Sequence, residues 1–347
     1  MDKKLFMYDA KPHDREFFDR ANGGGEFEIK YFPGRLEPDT AKLAEGYPAV
    51  CVFTHDDVGA EVIRCLHERG VGLVTLRCAG YNHVDLEAAH DTLRIVRVPA
   101  YSPHAVAEHA AGLLLALNRK LHRAYGRTRD GNFSLEGLMG FDLHGKTAGV
   151  IGTGRIGRCL IEILSGFGMD VLAHDVKQDE AYARKAGFRY VGAEELYARA
   201  DVVSLHMPLT PDTHHFIDRD SVSRMKKGVF LVNTSRGKLI DTEALIEGLK
   251  DGTIGAAGLD VYEEEEQYFY EDWSGTPIGD DVLARLLTFP NALVTSHQGF
   301  FTREALTSIA ETTLANVRRF VEGEPLQNEV HQQGRETSRP KAKAHAS

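Results

Sequence analysis

Cysteine is scarce in this 347-residue chain: Cys51, Cys65, Cys78 and Cys159 lie far apart, with no C-x-x-C pair among them. A chain of this length needs no covalent staples, so a disulfide framework is excluded and the four read as reduced, mostly buried small hydrophobes. Metal-binding patterns are missing too. None of the 16 histidines stands in H-E-x-x-H, and neither His104 with His109 nor His214 with His215 suits a metal, so no metal site is expected. The longest apolar run, 110–117 around one glycine, is under half a bilayer span. Basic clusters are absent as well: 41 Lys and Arg stand against 51 Asp and Glu, a net charge of −10, which disfavours nucleic acid and anionic membrane surfaces as partners. Met1-Asp2-Lys3-Lys4 runs directly into the short Leu5-Phe6-Met7-Tyr8, too brief for a signal-peptide apolar region, so a cytoplasmic location is expected.

What the chain does contain is 42% hydrophobic residues, enough for two cores, in short β-branched runs that alternate with helical stretches. Residues 5–9, 27–32, 49–54, 73–77 and 95–98 are predicted strands, a rhythm of parallel α/β units rather than of a sandwich. Ser102-Pro103 offers an N-cap and a first helical residue for a helix running to about Arg123. A second series follows at 147–151, 171–173, 202–205, 229–232, 257–261 and 293–295, six strands that suffice for a dinucleotide-binding sheet. Beyond His297 only a helix-like segment, 303–321, remains, so the chain is predicted to return to its first domain. The polar end of the chain lacks apolar periodicity and is expected to be disordered.

The clearest motif is Gly152-Thr153-Gly154-Arg155-Ile156-Gly157, between an apolar strand and a helical pattern. Gly152 permits the tight turn, Gly154 lets backbone approach a pyrophosphate, and Gly157 lets the helix lie close to the strand. The next strand ends in His174-Asp175, and 175 − 157 = 18 puts a carboxylate where an adenosine ribose needs an acceptor. A carboxylate there repels a 2′-phosphate, so NAD is favoured over NADP, although Lys177 is near enough to leave partial NADP tolerance open.

Three strand ends carry further chemistry. Asn233-Thr234-Ser235-Arg236-Gly237 places an arginine fork after one strand, Asp260-Val261-Tyr262 leads into Glu263 to Glu266 after the next, and Thr295-Ser296-His297-Gln298 puts a histidine after the last. A run of four glutamates is ordinarily a solvated loop, and three of the four are read that way. Arg, one Glu and His together fit reduction of a 2-keto acid by NADH, with imidazolium donating a proton to the carbonyl oxygen. Spacing alone does not choose among the glutamates.

At this point the sequence resembles the D-isomer-specific 2-hydroxyacid dehydrogenases, and within them the fermentative bacterial D-lactate dehydrogenases, up to about Val330. The resemblance is carried by Leu76-Arg77-Cys78-Ala79-Gly80-Tyr81-Asn82, Val96-Arg97-Val98-Pro99-Ala100-Tyr101, Asn132-Phe133-Ser134-Leu135-Glu136-Gly137, the Arg236 segment and Glu304-Ala305-Leu306-Thr307-Ser308. It implies two doubly wound parallel-sheet α/β domains: a Rossmann NAD domain (101–298) inserted in a discontinuous flavodoxin-like substrate domain (1–100 and 299–331), with 332–347 a disordered tail. The family pattern Asp-Val-Tyr-Glu-x-Glu selects Glu265, which would hold His297 and keep it protonated while Arg236 binds and polarises the substrate. The amides of Ala79 and Gly80 resemble those that hold the substrate carboxylate, and Tyr101 resembles a pocket residue. Beyond the glycines of the loop, NAD contacts map onto Arg155, Ile156, Asp175, Met207, Pro208, Thr213, Thr234 and Asp260. Gly299 is smaller than the Ala expected there, which would loosen the hinge or pocket slightly. The family also implies a homodimer or homotetramer acting on pyruvate and D-lactate. Alternatives are a relative for a longer 2-keto acid or hydroxypyruvate, and a nicotinamide-dependent corepressor.

Overall fold

The computed structural model describes residues 2–331, so the segment expected to be a disordered tail lies outside the described residues. The chain divides into two compact units, Met1–Tyr101 with the chain from Arg303 on, and Ser102–Thr302.

In the first unit the strands β1 (Lys4–Met7), β2 (Glu28–Tyr31), β3 (Ala49–Val52), β4 (Leu73–Leu76) and β5 (Arg94–Arg97) form one parallel sheet in the order β2-β1-β3-β4-β5. That order is the flavodoxin-like one. Alternation along the strands puts Phe6, Val50, Val52, Val74, Leu76 and Ile95 into one core, while Leu5, Met7, Cys51, Leu73 and Thr75 are buried on the other face. With both faces covered, the strands read as continuous apolar runs, and each fully buried Leu, Ile or Val stabilises the unit by about 1.5–3 kcal/mol.

The second unit holds β6 (Thr147–Ile151), β7 (Asp170–His174), β8 (Arg189–Tyr190), β9 (Val202–Leu205), β10 (Val229–Asn233), β11 (Ile254–Leu259) and β12 (Ala292–Val294), all parallel, in the order β12-β11-β10-β9-β6-β7-β8. This is the Rossmann order with one strand added at its edge. The strand order reverses between β6 and β9, and ligands of such sheets lie outside the carboxyl ends at that point. Seven strands stand where six were predicted, because β8 is only two residues long and too short to show in a sequence pattern.

The helix opened by Ser102, whose side chain accepts from Ala105 N, ends at Asn118 rather than near Arg123. Asn118 turns its side chain to Phe141, donating to its carbonyl at 2.7 Å and accepting its N–H at 2.9 Å. Lys120 then adopts φ +51° and a separate helix, Leu121–Arg129, begins. The left-handed Lys120 breaks the helical backbone, so the apolar pattern that runs on to Arg123 is carried by two helices rather than one.

Candidate active site

The chemistry-bearing residues of the second unit collect at the carboxyl ends of its strands. Gly152, after β6, has φ +96°, and a Cβ on Gly157 would lie 2.0 Å from the Gly152 carbonyl oxygen. Only glycine therefore lets the Arg155–Gly166 helix start this close to the strand. Gly154, the residue before that helix, has open space where a Cβ would stand. Arg155 has no carboxylate partner among the described residues, and Ile156 is half-buried. A cavity of about 730 Å³ is lined by Thr153, Gly154, Arg155, Asp175 and Lys177.

Asp175 takes Thr153 N–H at 2.6 Å and Thr153 Oγ1 at 2.9 Å on Oδ2, and Lys177 N–H at 2.9 Å on Oδ1. Burial alone would raise its carboxyl, but these donors outweigh that and hold it below the ordinary carboxylate value. Thr153 Oγ1 also lies 2.8 Å from Tyr190 Oη. Thr153 and Tyr190 are thus functional neighbours that the sequence does not advertise: one is a variable position of the motif, the other sits on the unseen edge strand.

Beyond β9, Met207 is half-buried and Pro208 exposed, and Thr213 Oγ1 donates to Pro208 O at 2.8 Å while accepting Thr210 N–H, so it ties its own loop. His206 directly follows β9. Its Nε2 lies 2.8 Å from Ser204 Oγ, and enclosure pushes the ring down to about 4, so it is neutral at physiological pH. Thr234 is buried, and its hydroxyl has no hydrogen-bond partner. An open glycine cradle at a helix N-terminus, an unpaired arginine beside it, an ionised acceptor 18 residues on and an orphaned threonine hydroxyl suit a dinucleotide.

Arg236, Glu265 and His297 follow β10, β11 and β12, three neighbouring strands. His297 Nδ1 lies 2.7 Å from Glu265 Oε1, and Glu265 Oε2 accepts Tyr262 N–H at 2.9 Å. Both carboxylate oxygens are therefore engaged, and His297 Nε2 has no partner among the described residues. Arg236 donates once, to Ser235 O at 2.6 Å, and has no carboxylate partner among the described residues, so the surface ion pair ordinary for a lone arginine is not its role. The turn that carries it is fixed by Asn233, which donates to Arg236 O and accepts from Ser235 N. Gly237 packs so tightly that a Cβ would lie 2.0 Å from the Tyr262 carbonyl, joining the Arg236 turn to the glutamate loop.

His297 has φ +51°, a left-handed conformation that costs a non-glycine residue about 1 kcal/mol or more. Asp260 imposes it. The Asp260 carbonyl accepts His297 N–H at 2.7 Å, and its carboxylate, 1% exposed, accepts Thr295 Oγ1 at 2.5 Å, Gln298 N–H at 2.9 Å and Gly299 N–H at 2.7 Å. His109 Nε2 stands 3.2 Å from the same carboxylate. Burial opposes its charge, yet the His109 and Thr295 donors prevail and hold Asp260 below its ordinary value. Gly299 tightens this arrangement rather than loosening it: a Cβ there would lie 2.9 Å from Asp260 Oδ2.

The acidic run corrects a second expectation. Glu264 and Glu266 are exposed, but Glu263 is not solvated: Oε1 lies 2.7 Å from His215 Nε2 and Oε2 accepts Thr242 N–H at 2.8 Å.

The remaining predicted residues, Ala79, Gly80 and Tyr101, belong to the first unit. Ala79 and Gly80 form the loop after β4, and neither N–H has a hydrogen-bond partner among the described residues. Tyr101 is half-buried.

Residues 111–299 match the model of the D-isomer specific 2-hydroxyacid dehydrogenase NAD binding domain. The chain is 50% identical over 328 residues to D-lactate dehydrogenase of Escherichia coli K12, a match spanning 94% of this chain and 99% of that one. The solved apo-structure of the E. coli D-lactate dehydrogenase is similar at a TM-score of 0.87, with 49% identity and the same two coverages. A structure described as the pyruvate reductase of Chlamydomonas reinhardtii gives a TM-score of 0.89 at 43% identity over 94% of this chain and 98% of that one. D-lactate dehydrogenase with NAD+ from Lactobacillus jensenii gives 0.80 at 29% identity, covering 95% and 100%.

Proposed function

The chain belongs to the D-isomer-specific 2-hydroxyacid dehydrogenases, which are NAD-dependent oxidoreductases, and we propose that it reduces pyruvate to D-lactate with His297, Glu265 and Arg236 as its catalytic residues. The observation that carries these roles is the 2.7 Å contact between Glu265 Oε1 and His297 Nδ1, beside an arginine with no acidic partner among the described residues. Bound NADH supplies the hydride. Glu265 accepts from Nδ1 and orients the ring, which leaves Nε2–H to protonate the carbonyl oxygen of the keto acid. Arg236 offers its remaining N–H donors to the carbonyl and carboxylate oxygens and stabilises the charge that grows on the former. In the reverse direction neutral His297 takes the hydroxyl proton of D-lactate.

The first unit is the substrate domain in this reading, with the Ala79 and Gly80 amides assigned to the substrate carboxylate and Tyr101 to the pocket. The second unit binds the cofactor: the Gly152–Gly157 loop and Arg155 take the pyrophosphate, Asp175 the adenosine ribose, and Thr234 and its neighbours the nicotinamide half. Leu121, Tyr125, Phe133, Leu135 and Met139 stand exposed along one stretch of chain, Leu135 at 83% and Met139 at 85%. An apolar strip of that kind supports burial against a second copy, hence a homo-oligomer. Among the described residues no helix is long and apolar enough to cross a membrane, and the four cysteines are free, which supports a cytoplasmic setting. The test is NADH oxidation, followed by absorbance, with pyruvate, hydroxypyruvate and phenylpyruvate compared as substrates. The highest kcat/KM is expected for pyruvate; a clear preference for either of the others would replace the substrate assignment.

A further inference from the structure

The loop Cys78-Ala79-Gly80 has all three carbonyls held and two amides free. Cys78 O accepts Val98 N–H at 3.2 Å, Gly80 O accepts the Cys78 thiol at 3.2 Å, and Ala79 O accepts Arg97 Nη1 at 2.7 Å. In a trans peptide the C=O of one residue and the N–H of the next point in opposite directions. By gripping Ala79 O, Arg97 therefore aims the Gly80 N–H away from itself. A cationic donor on that oxygen also polarises the peptide and makes the Gly80 N–H a stronger donor.

The charge inventory at this end of the sheet singles out the same residue. Arg77, at the end of β4, is 2% exposed and neutralised: it lies 3.3 Å from Asp14 and donates to the Tyr8 and Asp9 carbonyls. Arg94 pairs with Glu329. Arg97 has no carboxylate partner among the described residues, and its guanidinium rests 5.0 Å from the centre of the Tyr81 ring. Its backbone is clamped, because its N–H donates to Asn328 O, its carbonyl accepts Asn316 Nδ2 at 3.1 Å, and Asn328 in turn bonds the buried Asn316. A residue anchored so firmly, with its charge left uncompensated beside two unpartnered amides, marks a prepared anion site.

We propose that Arg97 is a positioning residue for the substrate carboxylate: through Ala79 O it fixes and strengthens the Gly80 N–H donor, and its charge supplies the positive potential around it. The proposal rests on the assignment of the Ala79 and Gly80 amides to the carboxylate.

The test compares Arg97→Met, Arg97→Lys and Arg94→Met in the full-length enzyme. Arg97→Met is expected to raise KM for pyruvate about tenfold and to weaken oxamate binding to the enzyme–NADH complex in parallel, with kcat and KM for NADH within about twofold of wild type. Arg97→Lys keeps a charge but loses the fork, so its KM should fall between the two. Arg94→Met removes a cation of the same strand and should leave KM for pyruvate in place, whatever it does to the melting temperature. Arg97→Met with an unchanged KM for pyruvate overturns the proposal, as does a loss that affects the KM values of NADH and pyruvate equally. Where Arg97→Met does not fold, Arg97→Lys decides: a raised pyruvate KM at constant NADH KM supports the proposal, and an unchanged one overturns it. Wild-type enzyme that binds neither pyruvate nor oxamate would defeat the underlying substrate assignment instead, so the two failures are distinguishable.

Discussion

Replacing Glu265 with Gln is usually regarded as a removal of charge at constant shape, but this site makes it more than that. The two carboxylate oxygens each accept a hydrogen bond, one from His297 Nδ1 and one from the Tyr262 N–H. Glutamine has one acceptor. If its oxygen faces His297, its NH2 group meets the fixed Tyr262 N–H, and an unsatisfied donor pair there costs about 1–3 kcal/mol. If its oxygen faces Tyr262, the NH2 group donates to Nδ1, which selects the neutral Nε2–H tautomer and opposes the imidazolium. The second orientation satisfies every group and is the one expected. Glu265 and His297 are 13% and 16% exposed, so solvent screens the original pair only in part. For Glu265→Gln, the ring that accepts the glutamine NH2 at Nδ1 no longer carries the second N–H of the acid form, so kcat/KM for pyruvate should fall about a hundredfold. D-lactate oxidation should fall as well, since the trapped tautomer has no lone pair on Nε2. The assay is the initial rate of NADH change from mildly acidic to alkaline pH in both directions, with the exposed Glu264→Gln and Glu266→Gln as controls. A Glu265→Gln enzyme that keeps its kcat/KM for pyruvate would refute the reasoning. Glu263→Gln is not a clean control, because Glu263 also engages both oxygens.

Three further outcomes are expected. Asp175→Ala removes the ribose acceptor and its negative charge, so KM for NADH should rise about tenfold and the preference over NADPH should narrow; steady-state kinetics with both cofactors checks this, and an unchanged ratio would remove Asp175 from the ribose. Gly157→Ala sets a Cβ 2.0 Å from the Gly152 carbonyl, so it should cost about 3 kcal/mol, lower the melting temperature by several degrees and weaken NADH binding measured by fluorescence titration. The double variant Leu135→Glu with Met139→Glu charges the exposed apolar strip, and light scattering after gel filtration should report a smaller species than wild type; an unchanged mass would place the subunit contact elsewhere.

The parts of the fold legible in the sequence were those set by alternation and by strand-end chemistry. Strands buried on both faces read as apolar runs, and Gly152, Asp175, Arg236 and His297 were readable because each stands just beyond the carboxyl end of a strand. Strand β8 was not, since two residues display no period. Nor was the end of the helix at Asn118, because the break is a left-handed lysine, Lys120, and lysine carries no sequence signal for that conformation. The glutamate run is the clearest case: four identical residues carry no pattern. What separates them is partners distant in sequence: His215 and Thr242 engage Glu263 and His297 engages Glu265, while Glu264 and Glu266 are exposed.

The deepest part of the site that stayed hidden is backbone. A left-handed histidine has no sequence signature, and it persists only where its surroundings determine it more strongly than the strain opposes it. Here a single acid does this from the end of the neighbouring strand: Asp260 binds the N–H groups of His297, Gln298 and Gly299, and Tyr270 Oη holds the His297 carbonyl at 3.0 Å. The His297 N–H bond goes to the Asp260 main-chain carbonyl, whereas those of Gln298 and Gly299 go to its buried carboxylate, whose charge is maintained by Thr295 and by His109, on the helix that begins at Pro103. Asp260 was legible as an acid at a strand end, hence as a cofactor contact. Its hold on the His297 loop depends on donors supplied by residues 35 to 39 positions later, and only the pairing of β11 with β12 brings them within reach.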